Sequence, residues 1–347
     1  SAVRVEKFEI GTILRMQMFK GILVLLFGIL LCTEIAQSHE EVKKEEENLS
    51  SEEEENPEAN SIQGRKKPKS KEEAEAEHKT LYPEEYSDGV QGDMDLTPTE
   101  LAELKNIAAQ DRELNANFGK YRAVALNSAY CAHYCWKYYG TGIVYYYVPD
   151  DFRGRTAEEG NGTNTPLQVL RAAMDEIEEA ACINFIEYKS GDTPRPYYVL
   201  VEYGTGCSAE LGLRYKSGQK LSLGQYCTLK IGTAIHEVLH TLGFYHEHTR
   251  EDRETSIDLH LENVDAAKLN NFEKVSDVYV DRSDDYDCGS VMHYSPISFS
   301  KDKLTPVKTI TGKTSACEQK MGQRDGLSAS DKIKLVQTYG ARSCRPR

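Results

Sequence analysis

The chain has 347 residues, enough for one catalytic domain with accessory segments or for two modest domains. Its net charge of −14 is unevenly spread: residues 39–122 carry −11 of it and residues 123–347 only −4. There is no basic stripe to neutralise phosphates, which excludes a nucleic-acid-binding surface.

In chain order, residues 1–15 read as sequence upstream of the first functional element. Residues 21–31 (GILVLLFGILL) form an apolar run too short for a membrane-spanning helix, which needs roughly 20 such residues. Lys20 precedes the run and the small residues of Ala36-Gln37-Ser38 follow it. This layout predicts a signal peptide over 16–38, cleaved after Ser38, and hence a secreted, extracellular protein with no membrane span. Of nine cysteines, Cys32 falls inside that signal; the other eight all lie beyond residue 130. An even set suits disulfides in an oxidising compartment.

Residues 39–80 are rich in Glu and Lys and contain the acidic block 52–55 and the basic patch Arg65-Lys66-Lys67-Pro68-Lys69. Such a stretch buries too little apolar surface to offset its ordering entropy, which predicts disorder. Thr97-Pro98 followed by Leu101, Leu104 and Ile107 predicts an amphipathic helix within 97–116. From about residue 123 the pattern is that of a globular α/β domain. Segments 142–148, 183–188 and 197–203, rich in β-branched and aromatic residues, read as strands. Thr165, Pro166 and Gln168 open a helix with a capping box, and Leu167, Leu170, Met174, Ile177 and Ala181 line its face. A last helix is expected over 328–339, with Ile333 and Val336 inward and Gly340 ending it. Asn48-Leu49-Ser50 and Asn161-Gly162-Thr163 are glycosylation sequons.

Residues 236–247 read His-Glu-Val-Leu-His-Thr-Leu-Gly-Phe-Tyr-His-Glu. On a helix, His236 and His240 are one turn plus about 40° apart, so both imidazoles can face one zinc ion, with Glu237 beside them as general base. A continuing helix would carry His246 roughly 15 Å along the axis and off this face, so the chain must turn sharply. Gly243 is the residue that can turn it, because glycine adopts positive φ without a Cβ penalty. The three ligands and the glycine require one another. His248, His260 and His293 read as structural, and His133 as a surface residue.

These residues resemble the astacin family of metzincin zinc metallopeptidases, in the minimal form of signal, propeptide and catalytic domain. The zinc motif continues in family style through Glu247-His248-Thr249-Arg250-Glu251-Asp252-Arg253, and Ser290-Val291-Met292-His293-Tyr294 resembles the family's Met-turn. The resemblance covers about 123–344. It implies a metzincin fold of the α/β (α+β) class: a twisted mixed sheet with the active-site helix above, and a mostly irregular lower part with a C-terminal helix. It implies one Zn²⁺ per catalytic domain, Met292 beneath the site, and Tyr294 as a switch tyrosine that stabilises the tetrahedral intermediate.

The same resemblance implies disulfides Cys182–Cys344 and Cys207–Cys227. Cys131 and Cys135 are similar to the extra N-terminal bridge of hatching-enzyme-like members, although their spacing differs, which leaves Cys288 with Cys317. An alternative use of Cys131, His133 and Cys135 is a second zinc site. Gly92-Asp93 resembles the family's latency motif, in which an aspartate, here Asp93, caps the zinc; Val90 stands where that motif has an aromatic residue. The propeptide, 39–122, is then the chain's own inhibitor. Cleavage after Arg122 frees a domain over 123–347 whose new terminus, as in the family, turns inward toward Glu247. The expected enzyme is a monomeric endopeptidase acting on protein and peptide substrates. Lys301, Lys303 and Arg324 are candidates for a pocket that favours acidic side chains, though spacing does not position them. Two rival readings are a binding protein on an inactive peptidase scaffold and a disulfide-stapled domain with purely structural zinc. The first lacks support because every catalytic residue type is present. The second fails because structural zinc sites are closed by four ligands rich in cysteine.

Overall fold

In the computed structural model, contacts divide the chain into Ser1–Arg65 and Lys66–Arg347. The structure describes residues 71–81, 83–86, 93–94, 125–126, 135–138, 141–189, 191–192, 195–275, 280–281 and 285–340, all in the second unit. The signal segment, the helix expected within 97–116, His133, Asn48, Cys131 and Cys344 lie outside the described residues.

Helix α1 (Lys71–Leu81) and a 3₁₀ turn (Pro83–Tyr86) come first. Then follow β1 (Ala125–Leu126), β2 (Lys137–Tyr138), β3 (Thr141–Tyr147), a single turn α2 (Asp150–Arg153), α3 (Pro166–Ala180), β4 (Ile183–Glu187) and β5 (Tyr198–Glu202). β6 (Cys207–Ala209), β7 (Ser217–Leu223) and α4 (Ile231–Thr241) complete the upper half. Below it are β8 (Ile257–Leu259), β9 (Val280–Asp281), β10 (Ile310–Gly312), α5 (Ser315–Lys320) and α6 (Ala329–Tyr339).

The main sheet runs β2-β3-β5-β7-β6, with β4 also pairing β3. β3 is parallel to β4 and β5, and β5 is parallel to β7; β2 pairs antiparallel with β3, and β6 antiparallel with β7. The sheet is therefore mixed, and β6 forms one edge. In β3, Gly142, Val144 and Tyr146 are buried while Ile143 and Tyr147 are half-buried, the period-two alternation of a strand with one face on the core. α3 covers that face. Thr165 Oγ1 accepts from Gln168 N and Gln168 Oε1 accepts from Thr165 N, closing the expected capping box. Leu170, Met174 and Ile177 are buried as expected; Val169 and Ala173 join them, and Leu167 is only partly buried. Each fully buried large apolar side chain contributes about 1.5–3 kcal/mol.

A second apolar cluster in the lower half gathers Ile257, Val264, Phe272, Tyr294, Phe299 and Ile310 around the β8–β10 pair. Disulfide Cys207–Cys227 ties β6 to the loop after β7, and Cys288–Cys317 ties the loop before the 290–294 turn to α5, with Cα separations of 5.6 and 5.1 Å. Cys135 and Cys182 are also disulfide-bonded.

The C-terminal helix corrects one expectation. Ser328 caps α6 and Asp331 completes its capping box, but Ile333 and Val336 face outward, 48% and 36% exposed. The inward face instead carries Asp331, Lys334, Leu335, Thr338 and Tyr339. Two of these are charged and meet buried partners, so apolar periodicity pointed to the wrong side of the helix.

Candidate metal centre

Almost every residue of α4 is buried. Ala234, Ile235, Val238 and Leu239 belong to the apolar core, and the same helix carries His236, Glu237 and His240, all 0% exposed. Its first turn lies directly on the 322–326 loop. Gly232 N donates to Arg324 O at 3.0 Å, and a Cβ on Gly232 would fall 2.2 Å from the Arg324 carbonyl carbon.

The helix ends as its sequence requires. Gly243 has φ 95° and its N–H bonds His240 O at 2.8 Å. The chain reverses, and Phe244 O accepts a hydrogen bond from His240 Nδ1 at 2.7 Å. A carbonyl can only accept, so this bond puts the proton on Nδ1 and leaves the Nε2 lone pair free to ligate. His236 is set the same way by Val291 O at 2.8 Å. The turn made by Gly243 brings His246 back: its Nε2 lies 3.2 Å from His236 Nε2, which is also 3.2 Å from His240 Nε2.

Asp93 enters this group. Oδ2 is 3.1 Å from His236 Nε2, and Oδ1 is 3.5 Å from His240 Nε2 and 3.0 Å from His246 Nε2. Ligand atoms of all four residues lie within 4.8 Å of one another. Tetrahedral zinc with bonds of about 2.05 Å sets its ligand atoms about 3.3 Å apart. Charge makes the same case. Burial holds His236 down at about 4 and His246 at about 3, so both are neutral at pH 7. Burial would raise the Asp93 carboxyl, but the surrounding histidines override it and hold it well below the usual range. A carboxylate and converging nitrogen lone pairs in a dry centre call for a cation, and this donor set fits zinc.

The floor of the site is the 290–294 turn. Ser290 Oγ donates to Asp331 Oδ1 at 2.6 Å, and Val291 N donates to Asp331 Oδ2 at 2.8 Å. Met292, 2% exposed, accepts on its carbonyl from Glu247 N at 3.0 Å. The Glu247 carboxylate takes Lys334 Nζ at 2.8 Å, Asp287 N at 3.0 Å and Arg250 Nη1 at 3.2 Å. The Tyr294 ring is 4.6 Å from that of His246 and stacks on His248 at 3.8 Å. His248 and His293 are both buried, in structural positions. His260 Nε2 pairs with Thr311 Oγ1 at 2.8 Å.

Of the three basic candidates, Lys301 bonds Glu262 O, Arg324 Nη1 bonds His293 O at 3.2 Å, and Lys303 pairs with Glu85 at 3.0 Å. Asn161 is exposed in a turn. Sequence reasoning missed Asp331 and Lys334. Their signal was a charged pair three residues apart on a helix expected to be amphipathic.

Residues 157–340 match the sequence profile of the peptidase family Astacin. The chain belongs to the astacin family. Peptidases of this family are zinc-dependent endopeptidases with one catalytic zinc. Protein SpAN of Strongylocentrotus purpuratus is 32% identical over 253 residues, 72% of this chain and 37% of SpAN. Zinc metalloproteinase nas-13 of Caenorhabditis elegans is 34% identical over 171 residues, 49% of this chain and 36% of its own length. The chain thus spans little more than a third of each of these relatives. High choriolytic enzyme 1, a hatching enzyme zinc-protease of the medaka Oryzias latipes, superposes with a TM-score of 0.51 at 27% identity. That superposition covers 62% of this chain and 99% of the medaka enzyme. Among the described residues, no helix is long and apolar enough to cross a membrane.

Proposed function

We propose that this chain is a secreted, monomeric zinc metalloendopeptidase made as a zymogen, with His236, His240 and His246 as metal ligands and Asp93 as the blocking ligand. In this reading 16–38 is the signal peptide, 39–122 the inhibitory propeptide and 123–347 the catalytic domain. The observation that carries it is the meeting of three histidine Nε2 atoms with a propeptide carboxylate in one buried group.

Zinc, when bound, supplies an activated water and polarises a peptide carbonyl. Glu237, buried next to His236, takes the water's proton on its carboxylate and passes it to the leaving amine. Tyr294 leaves its stack on His248 and donates its hydroxyl to the developing oxyanion. Hydrogen bonds from His236 and His240 to backbone carbonyls keep both rings oriented throughout. In the full chain Asp93 fills the place the water needs. Secretion is supported by the apolar run before Ser38 and by the disulfides of the catalytic half.

The test is to express the full chain, measure its zinc content, and profile cleavage of a peptide library after processing at Arg122, with and without a chelator. One zinc per chain and chelator-sensitive cleavage are expected. A processed, zinc-loaded protein that cleaves no peptide overturns the reading.

A further inference from the structure

Among the described residues, the segment before residue 95 meets the catalytic half through two buried carboxylates, Glu85 and Asp93, and the second faces the histidines. Eight residues before Asp93 in sequence, Glu85 lies in the Pro83–Tyr86 turn, which packs against edge strand β6. Its side chain is 2% exposed and its Oε2 lies 3.0 Å from Lys303 Nζ. Lys303 keeps 29% of its side chain exposed, and Glu85 is its only ion-pair partner among the described residues.

The loop that presents Lys303 is held by its own hydrogen bonds. Asp302 accepts from Leu304 N at 2.9 Å and Thr305 N at 3.0 Å, and Ser300 Oγ bridges Asp302 O and Val307 N. None of these hydrogen bonds that shape the loop involves Glu85. The propeptide also occupies the strand edge next to the metal group. Met94 bridges Ala209 of β6 in parallel, with Ala209 N donating to Asp93 O at 2.9 Å. With that segment gone, the edge of β6 offers unpaired backbone groups beside the metal group, to which an extended peptide can add as a strand.

We propose that Lys303 is a binding site for an acidic side chain of the substrate, remote from the scissile bond, and that Glu85 occupies it in the full chain. This inference rests on the peptidase reading above and adds a substrate class to it: peptides with a Glu or Asp several residues from the cut. Glu85 and Asp93 then block two different parts of one cleft, the first a specificity site and the second the metal. Once the propeptide leaves, nothing among the described residues neutralises Lys303.

The test uses the full chain, expressed and then processed. A set of otherwise identical peptides carries Glu or Gln at each position outward from the scissile bond, and the Glu/Gln ratio of kcat/KM is measured. At one remote position the ratio should be about fivefold, the worth of a partly exposed ion pair. It should collapse to one in Lys303→Met, invert in Lys303→Glu and survive in Lys303→Arg, which also reports on folding. A synthetic peptide of residues 71–94 should inhibit the wild-type enzyme about fivefold better than its Glu85→Gln version, with no difference on Lys303→Met. A ratio of one at every remote position, or a ratio unchanged in Lys303→Met and Lys303→Glu, overturns the proposal while leaving the peptidase intact. Absence of chelator-sensitive cleavage in the whole set overturns the peptidase reading, and this inference with it.

Discussion

Lys334 Nζ lies 2.8 Å from Glu247 Oε2 with the two side chains 2% and 1% exposed, so the C-terminal helix supplies a countercharge to the residue that follows the third histidine. One turn earlier the same helix holds Ser290 and Val291 through Asp331. Removing one partner of a buried pair leaves a charge in low dielectric, at a cost of about 3–5 kcal/mol, whereas removing both costs less. Lys334→Met should lower the unfolding free energy in urea titrations by less than that amount, because Arg250 Nη1 still faces Glu247 at 3.2 Å. Glu247→Gln/Lys334→Met should recover part of it. A double variant no more stable than Lys334→Met alone would mean that the pair is not coupled.

Glu237→Gln keeps the size of the side chain and removes its basicity. The variant should hold zinc at wild-type stoichiometry while kcat falls by about 10²–10⁴, the usual contribution of a general base. Metal analysis of the purified variant separates loss of the base from loss of the ion.

In the proposed zymogen, Asp93→Ala removes a charged contact to the histidine group and leaves the rest of 39–122 unchanged. Such contacts contribute about 1.5–3 kcal/mol, so unprocessed Asp93→Ala should be ten- to about a hundredfold more active than the unprocessed wild type. The comparison is made with a processing-resistant Arg122→Ala background in both proteins. Equal latency in the two would remove Asp93 from the blocking role.

Acid should loosen the lower half through His293. Its Nδ1 donates to Tyr294 O and its Nε2 pairs with Tyr286 Oη, both at 2.6 Å, and its full burial favours the neutral ring. Burial holds its pKa down at about 4, against 6.5 for an unperturbed histidine. Between those values the unfolded chain binds the extra proton, so stability is full above pH 6.5 and falls as pH drops toward 4. The gap corresponds to roughly 3 kcal/mol. Urea midpoints at about pH 7 and about pH 4.5 should differ less in His293→Gln than in the wild type.

Much of the metal centre was legible because its parts constrain one another. Two histidines four apart, a glycine and a third histidine leave few ways to fold, and Gly243 at φ 95° is the way found. α3 was equally clear, since its capping box and apolar stripe pointed to the same residues. What stayed hidden was decided by tertiary partners. β7 reads SGQKLSL, with little apolar alternation, and it exists because β5 and β6 flank it. The inward face of α6 was obscured because Lys334 is buried by an ion pair rather than by hydrophobicity. Local pattern cannot announce a partner 87 residues away.

The contact between Gly232 and Arg324 fixes α4 to the loop beneath its first turn. Backbone touches backbone there, closer than any side chain would permit, and a hydrogen bond fastens the two. A hinge needs residues free to change φ and ψ, and this joint between the upper helix and the lower loop is a weld instead. The N-terminal turn of α4 and the 322–326 loop are therefore held to one another at this point. Any relative movement of the two halves would have to bend somewhere other than this joint.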